Sequence, residues 1–258
     1  MSRGGPQFIP RPEIWEPGRP APWQEEGFDP GAAPELDLAR VREVFPPERR
    51  GRTSPVAADG AAPSAVLVLF SMAPGPDGRD CLHVLLTRRS WGLRTHSGEV
   101  SFPGGRCDLG ESPRNAAVRE AWEETGLEPG LVETLGELDH LTTVTRRAYI
   151  VPQVGIVERL PELRANPVEV DQLLDVPVAE LLSPGVFREE QWGNRAQPRP
   201  IYFFELEDNT VWGATAALLR QALSLLVGAD PGTLADLDPA RLEPKGYRID
   251  PRYRNNVV

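Results

Sequence analysis

The stretch from Gly105 to Leu127, GRCDLGESPRNAAVREAWEETGL, constrains this chain more than any other. Ser112 followed by Pro113 is a helix start, because a serine side chain can accept from a free backbone N–H and proline tolerates the first helical turn. Gly126 is the residue type that closes a helix in the left-handed conformation. The spacing therefore predicts a helix over 113–125. On it Glu120, Glu123 and Glu124 stand at i, i+3 and i+4, so their carboxylates share one face. Ala117, Val118, Ala121 and Trp122 are left to pack elsewhere.

Three like charges on one helix face repel, and the macrodipole disfavours them further near a C-terminus. A cation is needed there. Hard oxygen donors without histidine or cysteine select Mg²⁺ or Mn²⁺ over zinc, and Mg²⁺ commonly bridges a few carboxylates to substrate phosphates. An isolated Glu-x-x-Glu-Glu is more often a solvated acidic face; the surrounding pattern decides. Gly105 is followed after five residues by Glu111, and after seven more by Arg119-Glu120, Ala121, one free position, Glu123-Glu124, Thr125, Gly126 and Leu127. This spacing resembles the Nudix box. The resemblance implies an α/β fold, the Nudix-type α/β/α sandwich with a mixed sheet, and hydrolysis of a nucleoside diphosphate compound. Glu120 and Glu124 are then the first-choice metal ligands, Glu123 is a third ligand or the base, and the Gly104 carbonyl adds a ligand. Glu111 and Arg119 are expected to pair and orient the helix rather than touch substrate. In many Nudix proteins a later acidic residue acts as base or extra ligand. Glu169, in Asn-Pro-Val-Glu-Val, is the best candidate here, against its plainer reading as a charge preceding an edge strand.

Directly upstream, Leu85-Leu86-Thr87, Arg89-Ser90, Arg94, Gly98 and Phe102-Pro103-Gly104-Gly105 resemble the extended motif of Nudix coenzyme A pyrophosphatases. That group splits the diphosphate of coenzyme A or its thioesters into 3′,5′-ADP and the 4′-phosphopantetheine half. The residues make sense on their own terms too. A strand over 82–87 leads into a loop with Arg88, Arg89, Arg94 and His96, and planar guanidinium groups bind phosphate oxygens bidentately. Gly98, Gly104 and Gly105 permit close backbone approach. Arg89, Arg94, His96, Gly98 and Phe102 are the candidate substrate-binding residues; Arg88 lies outside the fixed pattern, and His96 alone would be an ordinary surface histidine. The resemblance covers roughly 64–226. The expected mechanism is in-line attack of metal-activated water on one phosphorus. Another diphosphate substrate, such as ADP-ribose, a dinucleotide or a damaged nucleotide, is the nearer alternative; a non-catalytic regulatory protein on the same fold is the farther one.

Composition sets the remaining bounds. Residues 1–63 hold 12 of the 28 prolines, so they are expected to form an arm, extended and poorly ordered up to about residue 34. ELDLARVREVF, 35–45, is expected as a short amphipathic helix with Leu36, Leu38, Val41 and Phe45 on its apolar side. The region 64–227 is expected as the catalytic domain and 228–258 as a tail. A formal net charge of −10 argues against a nucleic-acid surface, so positive charge for a polyanionic substrate must be supplied locally. Cys81 and Cys107 make neither a disulfide framework nor a metal spacing. With no run of 18 apolar residues and no apolar signal core, the expected place is the cytoplasm, without a membrane partner. A homodimer is compatible with the family resemblance.

Runs of β-formers predict an antiparallel pair at 64–71 and 82–87 around Pro-Gly-Pro-Asp-Gly, and further strands at 132–141, 148–157, 170–176 and 200–206. Helices are expected at 178–182 and 211–227. This order implies helices covering a mixed sheet.

Overall fold

Along the first long strand Ala65, Leu67 and Leu69 pack into one apolar cluster, and Val68 and Phe70 into another. Successive side chains of a strand face opposite ways, so this strand is covered on both sides. The computed structural model describes residues 3–54, 63–143, 148–193 and 199–232; most of the expected tail, 233–258, lies outside them. In chain order the elements are β1 (Trp15–Pro17), α1 (Leu38–Val44), β2 (Pro63–Pro74), β3 (Asp80–Arg89), β4 (Val100–Ser101), β5 (Gly104–Arg106) and α2 (Pro113–Thr125). There follow β6 (Glu133–Glu137), β7 (Leu141–Thr142), β8 (Tyr149–Ile156), β9 (Val170–Pro177), α3 (Val178–Leu182), β10 (Phe187–Trp192), β11 (Arg199–Glu205), β12 (Thr210–Trp212) and α4 (Gly213–Val227).

The larger sheet is mixed. β2 runs antiparallel to β3 and parallel to β8, with Pro63 to Phe70 opposite Tyr149 to Ile156. β9 lies antiparallel against the far edge of β3, and β5 pairs with the start of β2. Helix α2 covers one face through Ala116, Ala117 and Ala121, which meet Ala65, Leu67, Leu69 and Leu85. On the other face α1, α4 and a four-stranded antiparallel sheet, β1-β10-β11-β12, close the larger core. The result is an α/β Nudix sandwich with a mixed sheet between helical layers.

The α2 limits are those the sequence predicts: the Ser112 side chain accepts from Asn115 N–H, and Gly126 takes φ 73°. Helix α1 starts later than expected, at Leu38, because Asp37 caps it by accepting from Arg40 N–H at 2.8 Å. Helix α4 starts at Gly213 rather than 211, because Thr210–Trp212 pair with β11. The clearest departure is the N-terminal arm. Instead of a poorly ordered extension, β1 pairs with β10, Gly4 bridges Glu207, and Trp23 packs edge-on to Phe187 in the core. Prolines weaken a ladder, yet three residues of strand and two 3-10 turns suffice when an indole is buried behind them.

Candidate active site

Helix α2 carries its three glutamates through a gradient of burial. Glu124 is 3% exposed, the Glu120 side chain 16% and the Glu123 side chain 46%. Glu124 points under the Gly104 turn, where Gly104 N–H donates to its Oε2 at 3.2 Å. Burial pushes its carboxyl up to about 7, against the lowering effect of the Gly104 hydrogen bond and of nearby Arg89, while Glu120 and Glu169 add repulsion. Glu120 is raised as well, chiefly by burial. Its carboxylate lies over Gly105, where a Cβ would press only on the movable end of that side chain, whereas at Gly104 a Cβ would strike the Ala65 carbonyl, so the first glycine of the Phe-Pro-Gly-Gly pair is the one that close backbone approach requires.

Arg119 organises the rest. Its Nε and Nη2 donate to the two oxygens of Glu111, each at 3.0 Å, and Nη1 reaches Glu120 at 3.0 Å and Glu123 at 3.1 Å. The Glu111 pairing raises Arg119 and lowers Glu111. A fork held by four carboxylate oxygens and the Arg106 carbonyl fixes the direction of the helix face relative to the loop before it.

Glu169 stands just before β9, the strand paired with β3. The segment leading to it caps α2: Arg164 N–H donates to Thr125 O at 2.8 Å and Asn166 N–H to Glu124 O at 2.9 Å. Ser90 N–H then donates to the Glu169 carbonyl at 2.7 Å, tying the start of the arginine loop to the same place. Arg89 is half-buried there, and its Nε has no hydrogen-bond partner among the described residues. Glu120, Glu124, Glu169 and Arg89 thus lie near enough for their charges to act on one another. Arg94 and His96 are exposed on the loop beyond, with His96 Nδ1 against Glu99 at 2.9 Å, a bond that raises its pKa.

Phe102 and Gly98 lie elsewhere than on an open binding surface. Phe102 is 2% exposed and belongs to the larger core. Gly98 is buried at φ 69° beneath the Trp91 indole, which a Cβ would strike. Both support the loop from behind. Arg88 is occupied by Asp171 at 2.6 Å and by Asn209 at 3.2 Å.

The NUDIX domain model matches residues 63–194, just over half of the chain and the whole of this site. The chain belongs to the Nudix family. Among its relatives, Nudix hydrolase NudL of Photorhabdus laumondii is 36% identical over 160 residues, covering 61% of this chain and 81% of that protein. Nudix hydrolase 3 of Caenorhabditis elegans is 37% identical over 187 residues, covering 65% and 75%. Nudix hydrolase NudL of Escherichia coli K12 is 35% identical over 169 residues, covering 65% and 84%. The chain is accordingly a Nudix hydrolase, a pyrophosphohydrolase acting on a nucleoside diphosphate derivative.

Nudix hydrolases generally use divalent cations such as Mg²⁺ or Mn²⁺. Among the described residues no group of three Asp, Glu, His or Cys side chains could hold a metal ion. The donor set still fits, because Mg²⁺ is usually held by one or two carboxylates with waters and substrate phosphates rather than by an all-protein cage. Two glutamates whose ionisation is penalised by burial, one helical turn apart on α2, offer such a partial shell. Sequence reading missed the groove next to it, lined by Trp122, Glu123, Gly126, Arg164, Asn166 and Glu169. Glu123 and Glu169 of its lining were candidates from the sequence; Trp122, which fills a free position of the box and was expected to pack elsewhere, is half-exposed. Among the described residues no helix is long and apolar enough to cross a membrane.

Proposed function

We propose that this Nudix hydrolase cleaves the diphosphate of coenzyme A or its derivatives, giving 3′,5′-ADP and the 4′-phosphopantetheine half, with Mg²⁺ or Mn²⁺ as cofactor. The reading places the reaction in the 64–227 domain of a cytoplasmic protein. The observation that carries it is the meeting of Arg89, at the root of the arginine loop, with the buried Glu124 and with Glu120 and Glu169. A cationic reader of phosphate thereby adjoins an oxygen-rich cation site.

Glu120, Glu124 and the Gly104 carbonyl would hold the cation. When bound, it supplies Lewis-acid polarisation of a diphosphate oxygen, charge neutralisation and activation of water. Arg89 and Arg94 bind phosphate oxygens and orient the diphosphate for in-line attack. Glu169 accepts the proton of the attacking water, its backbone fixed by Ser90 and Asn166. Glu123, held outward by Arg119, is the second candidate for that proton or a further ligand. Arg119 and Glu111 keep the helix in place.

The test is a product assay by mass spectrometry with either cation, offering coenzyme A, acetyl-coenzyme A, ADP-ribose, reduced NAD and a deoxynucleoside triphosphate side by side. Preferential appearance of 3′,5′-ADP with the phosphopantetheine half is expected. Preferential cleavage of another diphosphate would overturn the substrate assignment, and no cleavage of any would overturn the mechanism.

A further inference from the structure

The arginine loop is held at two ends by unlike means. At its start, Ser90 N–H bonds the Glu169 carbonyl, within the site itself. At its end, the Gly98 carbonyl is turned inward and accepts from the side chain of Gln7, 91 residues away in the N-terminal arm, at 3.1 Å. Gln7 is 7% exposed, and its amide is fully engaged: Nε2 also donates to Asn209 Oδ1 at 3.1 Å, and Oε1 accepts Thr210 N–H at 2.7 Å. Asn209 Oδ1 in turn accepts from Arg88 Nη1. The arm reaches this point as a strap over the β11–β12 turn. Gly4 N–H donates to Leu206 O at 2.8 Å and Gly5 N–H to Thr210 Oγ1 at 3.0 Å. Between the two ties the loop is stiffened by Ser97 Oγ donating to Trp91 O at 2.8 Å and by the indole lying on Gly98.

We propose that Gln7 is a positioning residue for substrate recognition: the N-terminal strap fixes the Gly98 end of the arginine loop, so that Arg94 is pre-arranged for the diphosphate substrate beside Arg89, which the β3 ladder already holds. This rests on the loop being the part that reads substrate. The matched domain spans residues 63–194, so Gln7 lies outside it. A loop fixed before binding needs less ordering when ligand arrives, so the strap acts on affinity and leaves the chemistry at Glu120 and Glu124 unchanged. Losing a buried hydrogen bond of this kind corresponds to roughly a tenfold effect on an equilibrium.

The experiment compares the full chain with Gln7→Ala, Gln7→Glu and Arg94→Ala. Gln7→Glu keeps side-chain length and the acceptor for Thr210 but removes the donors to Gly98 and Asn209, which covers the case in which Gln7→Ala folds poorly. Two readouts are taken: hydrogen exchange of amides 90–99, and kcat and KM for coenzyme A. The expected result for both Gln7 variants is faster exchange in 90–99, KM raised about tenfold and kcat within about twofold of the parent. Unchanged exchange overturns the strap. Faster exchange with an unchanged KM, while Arg94→Ala raises KM, overturns the positioning role. If KM is unchanged in all three variants, the reading of the loop as substrate-binding falls, and the role of Gln7 in recognition falls with it.

Discussion

Helices α2 and α4 are alike in outline and opposite in content. Each ends in a left-handed glycine, Gly126 at φ 73° and Gly228 at φ 79°, and each covers one side of the molecule. Helix α4 is buried almost throughout, with Leu218, Leu219, Leu223 and Leu226 in the larger core. Helix α2 buries only three alanines and Thr125 alongside a carboxylate, Glu124. Leucines bury large apolar areas, whereas alanines bury little but let a helix lie close to a sheet. The α4 side supplies stability, and the α2 side uses close packing to hold acidic groups where water is scarce. The teaching is that the site helix is destabilised at the positions that give it function.

The largest effect that could break this contrast is on turnover. Glu124→Gln should lower kcat on the order of a thousandfold, because a neutral amide cannot complete the cation shell, while the thermal midpoint holds or rises. Kinetics and a melt on the same sample check both halves. Leu223→Ala, in α4, should cost about 3 kcal/mol and leave kcat of the folded enzyme within a factor of about two, read by denaturant unfolding and turnover. Ala117→Leu, in α2, is the mirror case. Overpacking against the sheet should cost ~1–3 kcal/mol, and it should also depress kcat by lifting the glutamates from the Gly104 turn. If Ala117→Leu left kcat intact, close packing of α2 would have no bearing on the site. Arg42→Ala, which removes an exposed pair with Glu133, should shift stability by under about 1 kcal/mol and activity not at all.

Local chemistry made α2 legible from the sequence: cap, proline and glycine lie within the element they delimit. The β2–β3 pair was legible too, because apolar runs flank a Pro-Gly turn. Strand β10 was not, since Phe187–Trp192 reads FREEQW. Its Glu190 is buried only because Arg11, Arg188 and the Trp192 indole N–H converge on it, partners that no periodicity reveals. The proline-rich arm misled for the same reason, as Trp23 finds its pocket between elements far along the chain. In the site, the box glutamates and the arginines were visible as motifs. The burial of Glu124 depends on the Gly104 turn, and the inward Gly98 carbonyl on Gln7, so neither could be read from spacing. Phe102 and Gly98 belong to the motif as packing residues.

A direct test of the central claim, that Glu124 is buried to meet a cation, is thermal unfolding of the parent and Glu124→Gln from about pH 4.5 to 8, with and without Mg²⁺. The folded-state value of about 7 lies above the ordinary 4.5, so in this window the metal-free native state holds a proton that the unfolded chain has lost. Metal-free stability of the parent should therefore fall as pH rises toward about 7, by on the order of 2 kcal/mol, and Mg²⁺ should restore it at pH 7.5. Glu124→Gln should show a flatter profile and little Mg²⁺ shift. Equal Mg²⁺ stabilisation of both proteins, or none of the parent, would contradict the account.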